Sequence, residues 1–141
     1  MALAAPLQRH FKKGFAMRPI NAVLAYHDSL SAERLATVLR SEFRNLAVAK
    51  SAEEFSTAVD RLRAPFAVVD LELIKLDEVK QLCAQFPSTA FVCIHRLADD
   101  RMWTDALAAG AVDCCHSTDV RGVLRASERY VVLRKVQKAA A

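Results

Sequence analysis

Three glycines in 141 residues leave this chain little material for a loop that cradles phosphate. It contains neither a Gly-x-Gly-x-x-Gly stretch nor a Walker-type loop, so nucleotide binders built on those motifs fit poorly. No apolar run approaches the ~20 residues of a membrane span, and a soluble, cytoplasmic protein is expected. No nucleophile-elbow pattern supports a Ser-His-Asp or Cys-His constellation, and no enzyme activity is expected. The four cysteines, Cys83, Cys93, Cys114 and Cys115, form no Cys-x-x-Cys pair. They fall inside expected helices and strands and read as small buried hydrophobes of a reducing cytosol. Cys114 and Cys115 are neighbours on a strand and point to opposite faces, which argues against joint metal ligation.

Acids are missing from residues 1–27, where Arg9, Lys12, Lys13 and Arg18 lie. That stretch accounts for the whole formal charge of +4, because the 16 remaining basic residues balance the 16 acids. The fold itself is therefore neutral, and direct nucleic-acid binding is not expected. Residues 1–18 show no period and read as a flexible basic extension. A targeting peptide is the alternative, but the segment lacks a long apolar centre and has few serines. With 53% hydrophobic residues, the rest suffices for one domain with a substantial core, expected over residues 19–138, with 139–141 as a disordered tail.

From Ile20 the chain falls into five repeats of strand then helix. Ile20–Tyr26 reads as the first strand, ending in His27-Asp28. Ser29 or Ser31 can cap a helix whose stripe is Leu35, Val38, Leu39 and Phe43. Asn45–Ala49 is the second strand. Ser51 with Glu54 forms a capping box before a helix that buries Phe55, Ala58, Val59 and Leu62. The third strand ends in Asp70, and its helix carries Val79, Leu82, Cys83 and Phe86 up to Pro87. Ala90–Ile94 leads to His95, and the next helix, with Trp103, Ala106 and Leu107, stops at Gly110. Ala111–Cys115 is the last strand, and a helix over about residues 119–138 closes the chain.

Phe66–Val69 is apolar at every position, as a strand covered on both faces requires, and it ends abruptly in a carboxylate. Strands alternating with helices imply a doubly wound parallel sheet with right-handed crossovers. In such sheets chemistry collects outside the carboxyl ends of the strands, which gathers His27, Asp28, Asp70, His95, His116 and Ser117 on one edge. Asp70 at that rim is either a functional acid or a cap for the following helix.

These elements resemble the receiver domain of bacterial two-component response regulators over about residues 20–137. His27-Asp28 is similar to the acidic pair ending that family's first strand, and Asp70 lies at its phosphoacceptor position. Gly110-Ala111-Val112-Asp113 resembles the family's Gly-Ala-Asp-Asp stretch, and the 15-residue step from His95 to Gly110 fits its spacing. The resemblance implies a flavodoxin-like (βα)5 fold with strand order 2-1-3-4-5. It also implies magnesium held by Asp28 and Asp70. The departures are equally specific. His27 replaces the first acid, His95 the hydroxyl residue that senses the phosphoryl group, and Ser117 the lysine, while Cys114 stands at the aromatic switch position.

Phosphoryl transfer to a carboxylate depends on charge neutralisation by metal and cation, and loss of one such donor costs about 2.7–4 kcal/mol in the barrier. The site reads as degraded, with magnesium held weakly and no cofactor required. The leading expectation is a pseudo-receiver, a signalling module that binds a protein partner or a second copy without aspartyl phosphorylation. Its face would be the fourth helix, fifth strand and fifth helix, with Trp103, Arg125, Arg129 and Tyr130 as candidates. The bland alternative puts both aromatics in the core and the arginines in solvent. A working phosphoacceptor served by a histidine kinase is the second reading. A metal or pH sensor built from the rim histidines is the third.

Overall fold

The computed structural model describes residues 18–27 and 30–131. Strand β1 (Arg18–Ala25) is followed by helix α1 (Leu30–Glu42), β2 (Phe43–Ala49) and α2 (Ala52–Leu62). Then come β3 (Phe66–Asp70), α3 (Leu76–Gln85), β4 (Ala90–His95), α4 (Asp100–Ala108), β5 (Asp113–His116) and α5 (Val120–Ala126). A π-helical turn, Ser127–Val131, continues α5. The five strands form one parallel sheet in the order β2-β1-β3-β4-β5, as expected from the sequence.

Alternation along the strands divides the core into two layers. Ala22, Leu24, Phe66, Val68, Val92 and Ile94 face α1 and α5, meeting Leu35, Leu39, Val123 and Ala126. Val23, Ala25, Ala67, Val69, Phe91 and Cys93 face the other way, onto Phe55, Val59, Val79, Leu82 and Ala106 of α2, α3 and α4. The central strand β3 is buried at all five positions, which is why it lacks alternation in sequence. Cys114 and Cys115 belong to opposite layers, as successive residues of a strand must.

The boundaries depart from the sequence reading in several places. Phe43 opens β2 instead of closing the first helix, because α1 passes into β2 with no intervening loop. Its ring is still buried, stacked at 5.6 Å on Phe66. Strand β1 begins at Arg18, two residues early, and β5 begins at Asp113, two residues late. Ala111 and Val112 instead close the turn after α4, with Ala111 N–H on Ala106 O and Val112 N–H on Phe91 O. Ser51 Oγ accepts from Glu54 N–H, but the Glu54 carboxylate takes Lys50 N–H, one residue before the cap. The last helix is α-helical only to Ala126, and its expected continuation over 132–138 lies outside the described residues, as do residues 1–17 and 139–141. Among the described residues no helix is long and apolar enough to cross a membrane.

Gly110 ends α4 with φ of +111°, a conformation that disfavours any side chain. A Cβ there would also lie 2.8 Å from Cys83 Cβ, so this glycine is required by packing as well.

Candidate functional site at the carboxyl rim of the sheet

Parallel pairing sets the heights of the strand ends, with Ala25 beside Val69, Asp70 beside Ile94 and His95 beside His116. The chain following β1, β3, β4 and β5 therefore meets on one edge. Asp70 is its buried centre, 2% exposed. Its Oδ2 accepts the His27 N–H at 2.9 Å and its Oδ1 accepts the Glu72 N–H at 2.9 Å. Its main-chain carbonyl accepts from Leu73 and Ile74. The side chain thus joins the end of β1 to the start of the β3–α3 turn. This is a polar joint inside a protein, where unmade main-chain hydrogen bonds are costly.

His27 reaches Asp70 through its main chain, and its side chain is exposed. Asp28, the second expected metal ligand, lies outside the described residues. His95 is half-buried, and its Nδ1 accepts the Leu97 N–H at 2.9 Å. Ser117 is buried, 5% exposed, and its N–H donates to His95 O. His116 is exposed, with Nδ1 2.7 Å from Thr118 Oγ1 and 3.2 Å from Thr118 N. Both ring nitrogens accept a main-chain N–H two residues on, so each histidine closes a turn of its own. Among the described residues no imidazole bonds to Asp70, and no three His, Cys, Asp or Glu groups come together to hold a metal ion.

Magnesium demands several hard oxygen ligands in near-octahedral order. Among the described residues Asp70 offers that site one carboxylate, each oxygen of which already accepts one N–H group, and the other expected ligand, Asp28, lies outside them.

Sequence reasoning missed a second carboxylate at the rim. Glu72 donates its N–H to Asp70, and its Oε1 lies 2.9 Å from Arg96 Nε. Glu72 stands two residues after Asp70 and Arg96 one after His95. The adjacency of β3 and β4 in the expected strand order was the signal that could have paired them.

Cys114, at the expected switch position, is buried beneath the rim in the layer that holds Cys93. Burial, reinforced by Asp113 and Asp99, pushes its thiol from 9.0 up to about 11. Burial, with Asp113 next, pushes Cys115 up to about 12, and Cys93 is raised further still, mainly by burial. None of the four cysteines is in a disulfide. The Cys93, Cys114 and Cys115 thiols are therefore protonated and poorly nucleophilic at neutral pH.

The expected interaction face divides. Trp103 is 47% exposed, so it is no core residue, and its Nε1 donates to Asp113 Oδ1 at 3.1 Å. Tyr130 is half-buried and packs on the α1/α5 layer. Arg125 and Arg129 are exposed and line an open groove along β5 together with Tyr130.

No protein-family model matches the chain, and no curated protein sequence matches it. Solved structures do. The signal receiver domain of a modulated diguanylate cyclase from Desulfovibrio desulfuricans G20 is 18% identical, with a TM-score of 0.70 over 84% of this chain and 98% of that one. A response regulator from Chloroflexus aurantiacus J-10-fl is 16% identical, with a TM-score of 0.70 over 82% and 99%. A response regulator protein from Burkholderia pseudomallei, solved with a phosphorylated aspartic acid, a calcium ion and citrate, is 20% identical, with a TM-score of 0.66 over 86% and 74%. Strand order, helix placement and these likenesses agree that the chain has the fold of the response-regulator receiver domain.

Proposed function

We propose that this chain is a degenerate receiver, a cytoplasmic signalling module and not an enzyme, which acts by binding another protein and is not phosphorylated. The observation that carries the reading is the bonding of Asp70. A phosphoacceptor must present a carboxylate oxygen to the incoming phosphorus, whereas Asp70 is buried and each of its oxygens already accepts an N–H group, which ties β1 to the β3–α3 turn. The second support is the lack of a cation at the rim position where the resemblance expects lysine. Ser117 fills it, and its main chain is bonded to His95. Arg96, one residue past the end of β4, is paired with Glu72. Phosphoryl transfer would then lack the charge neutralisation on which it depends. The partner surface in this reading is the α4–β5–α5 face, with Trp103, Arg125, Arg129 and Tyr130.

The test is incubation of the full chain with phosphoramidate and magnesium, followed by intact mass spectrometry, with Asp70→Asn in parallel. No phosphoryl adduct is expected on either protein. An adduct on the wild type that the variant lacks would restore Asp70 as phosphoacceptor and point to a histidine kinase upstream.

A further inference from the structure

Of the three large hydrophobic side chains exposed among the described residues, Leu97 and Trp103 lie just before α4 and on it. Trp103 is 47% exposed, and its indole is held in place by Asp113. The helix face around it is negative. From Leu97 to Asp119 the chain carries five acids, Asp99, Asp100, Asp105, Asp113 and Asp119, against one base, Arg101. Elsewhere acids stand among bases, as Glu53, Glu54 and Asp60 do with Arg61 and Arg63, or Asp77 and Glu78 with Lys75 and Lys80. The exposed arginines of α5 bound this negative side beyond β5.

Hydrogen bonds leave these charges standing, because their donors are neutral. Asp99 Oδ1 accepts the Met102 N–H, and Asp113 Oδ1 accepts both Trp103 Nε1 and the Cys114 N–H. Asp105 has one cation, Arg101, at 3.8 Å, and both side chains are exposed. The same field reaches inward, since after burial it is Asp113 and Asp99 that raise the Cys114 thiol. An exposed tryptophan face ringed by carboxylates favours a segment that brings cations and apolar side chains together.

We infer that the α4–β5 side is the docking surface of the chain's own basic extension, residues 1–17, with Arg9, Lys12 and Lys13 toward Asp105 and Asp113 and Phe11 against Trp103. The extension has the matching chemistry, three bases with Phe11 among them and no acid, and it holds most of the excess charge of an otherwise neutral chain. It also has the reach. Asp113 stands level with Leu24 through the strand register, six residues and about 20 Å along β1 from Arg18 and three strand spacings of about 4.8 Å aside. The gap is thus about 25 Å, and the nine residues from Arg9 to Arg18 extend to about 30 Å. A partner's basic segment has the same chemistry without the tether, and tethering supplies an effective concentration that populates a weak contact. The inference goes beyond the partner-binding reading and does not need it. Where that reading holds, the extension covers the Trp103 half of the partner face and competes for it.

The experiment treats the full chain with a water-soluble carbodiimide, which joins a lysine amine to a carboxylate in contact with it, and maps the joined peptides of the monomer by mass spectrometry. Amides from Lys12 or Lys13 to Asp105 or Asp113 are expected. Their yield should fall severalfold at high salt and in Trp103→Ala, which keeps every acid. Acrylamide quenching of Trp103, the one tryptophan of the chain, reads the same contact without the reagent. It should rise at high salt and in the triple variant Arg9→Ser/Lys12→Ser/Lys13→Ser. Circular dichroism establishes that each variant is folded. Three results would overturn the inference: no such amide, equal yields of amides to Glu53, Glu54 or Asp77, or quenching unchanged in the triple variant. Amides found only between two chains would also overturn it, by making a second copy the occupant. Each of these leaves the module reading standing, whereas a phosphoryl adduct on Asp70 removes that reading and leaves the docked extension.

Discussion

Replacing Asp70 with alanine strips two main-chain N–H groups, those of His27 and Glu72, of their acceptors at a site that is 2% exposed. An orphaned buried donor costs about 1–3 kcal/mol, and because both hydrogen bonds are part-buried the pair costs roughly 2–4 kcal/mol, a large share of the ~5–15 kcal/mol by which small domains are stable. Asp70→Asn keeps one acceptor oxygen and turns an amide NH2 toward the other N–H, so its cost is about half as large. The assay is urea unfolding at neutral pH, followed by circular dichroism and Trp103 emission, with the midpoint shifted and the slope unchanged. The sign of the effect discriminates between readings. In a working acid pocket, carboxylates repel one another when no metal is present, and neutralising one relieves that repulsion. Variants as stable as wild type, or more so, would refute the account of Asp70 as a structural joint.

Other substitutions test the frame around the site. Phe43→Ala should cost about 3–5 kcal/mol in urea unfolding, because it empties a buried position stacked on Phe66. Gly110→Ala combines a positive φ with a 2.8 Å approach to Cys83 Cβ and should lose on the order of 1–3 kcal/mol. Cys83→Ala should not rescue it, since the clashing Cβ remains. Arg96→Ala should change stability by less than about 1 kcal/mol, because the arginine side chain is 68% exposed in its pair with Glu72. The Cys114 thiol is held up to about 11 from 9.0. Below about 9 the folded and unfolded thiols are both protonated. Above it the unfolded thiol ionises first, so the unfolded state binds fewer protons and stability falls by about 1.4 kcal/mol per pH unit until the folded thiol also titrates. A urea midpoint that declines from pH ~9 to ~11, less steeply in Cys114→Val, is the expected record.

Much of the fold was legible because its signals are local. The all-apolar Phe66–Val69 run, the stripes of α2 and α3 and the helix-ending Gly110 each follow from short-range pattern. Parallel pairing followed from the alternation of strands and helices, and the strand order came from the resemblance. Boundaries were less legible where an apolar residue suits either neighbour. Phe43 continues the spacing of Leu35 and Leu39, yet it packs equally well from the first position of β2, and the tertiary contact with Phe66 decides. At the site, the sequence placed Asp70 on the rim and left open whether it was a functional acid or a local anchor. Its two N–H donors, 43 residues away and two residues away, support the proposed anchoring role. Such long-range bonding leaves no mark in spacing. The same holds for the Glu72–Arg96 pair and the Trp103–Asp113 bond, which form only once strand ends and helices are set side by side.

The most direct test of the central claim is an amide NMR titration of wild type and Asp70→Asn with magnesium and beryllofluoride, which mimics a phosphorylated aspartate. The account predicts spectra unmoved around His27, Asp70, Glu72 and His95 in both proteins. Saturable shifts at those residues in wild type, lost in Asp70→Asn, would show a working phosphoacceptor and contradict it.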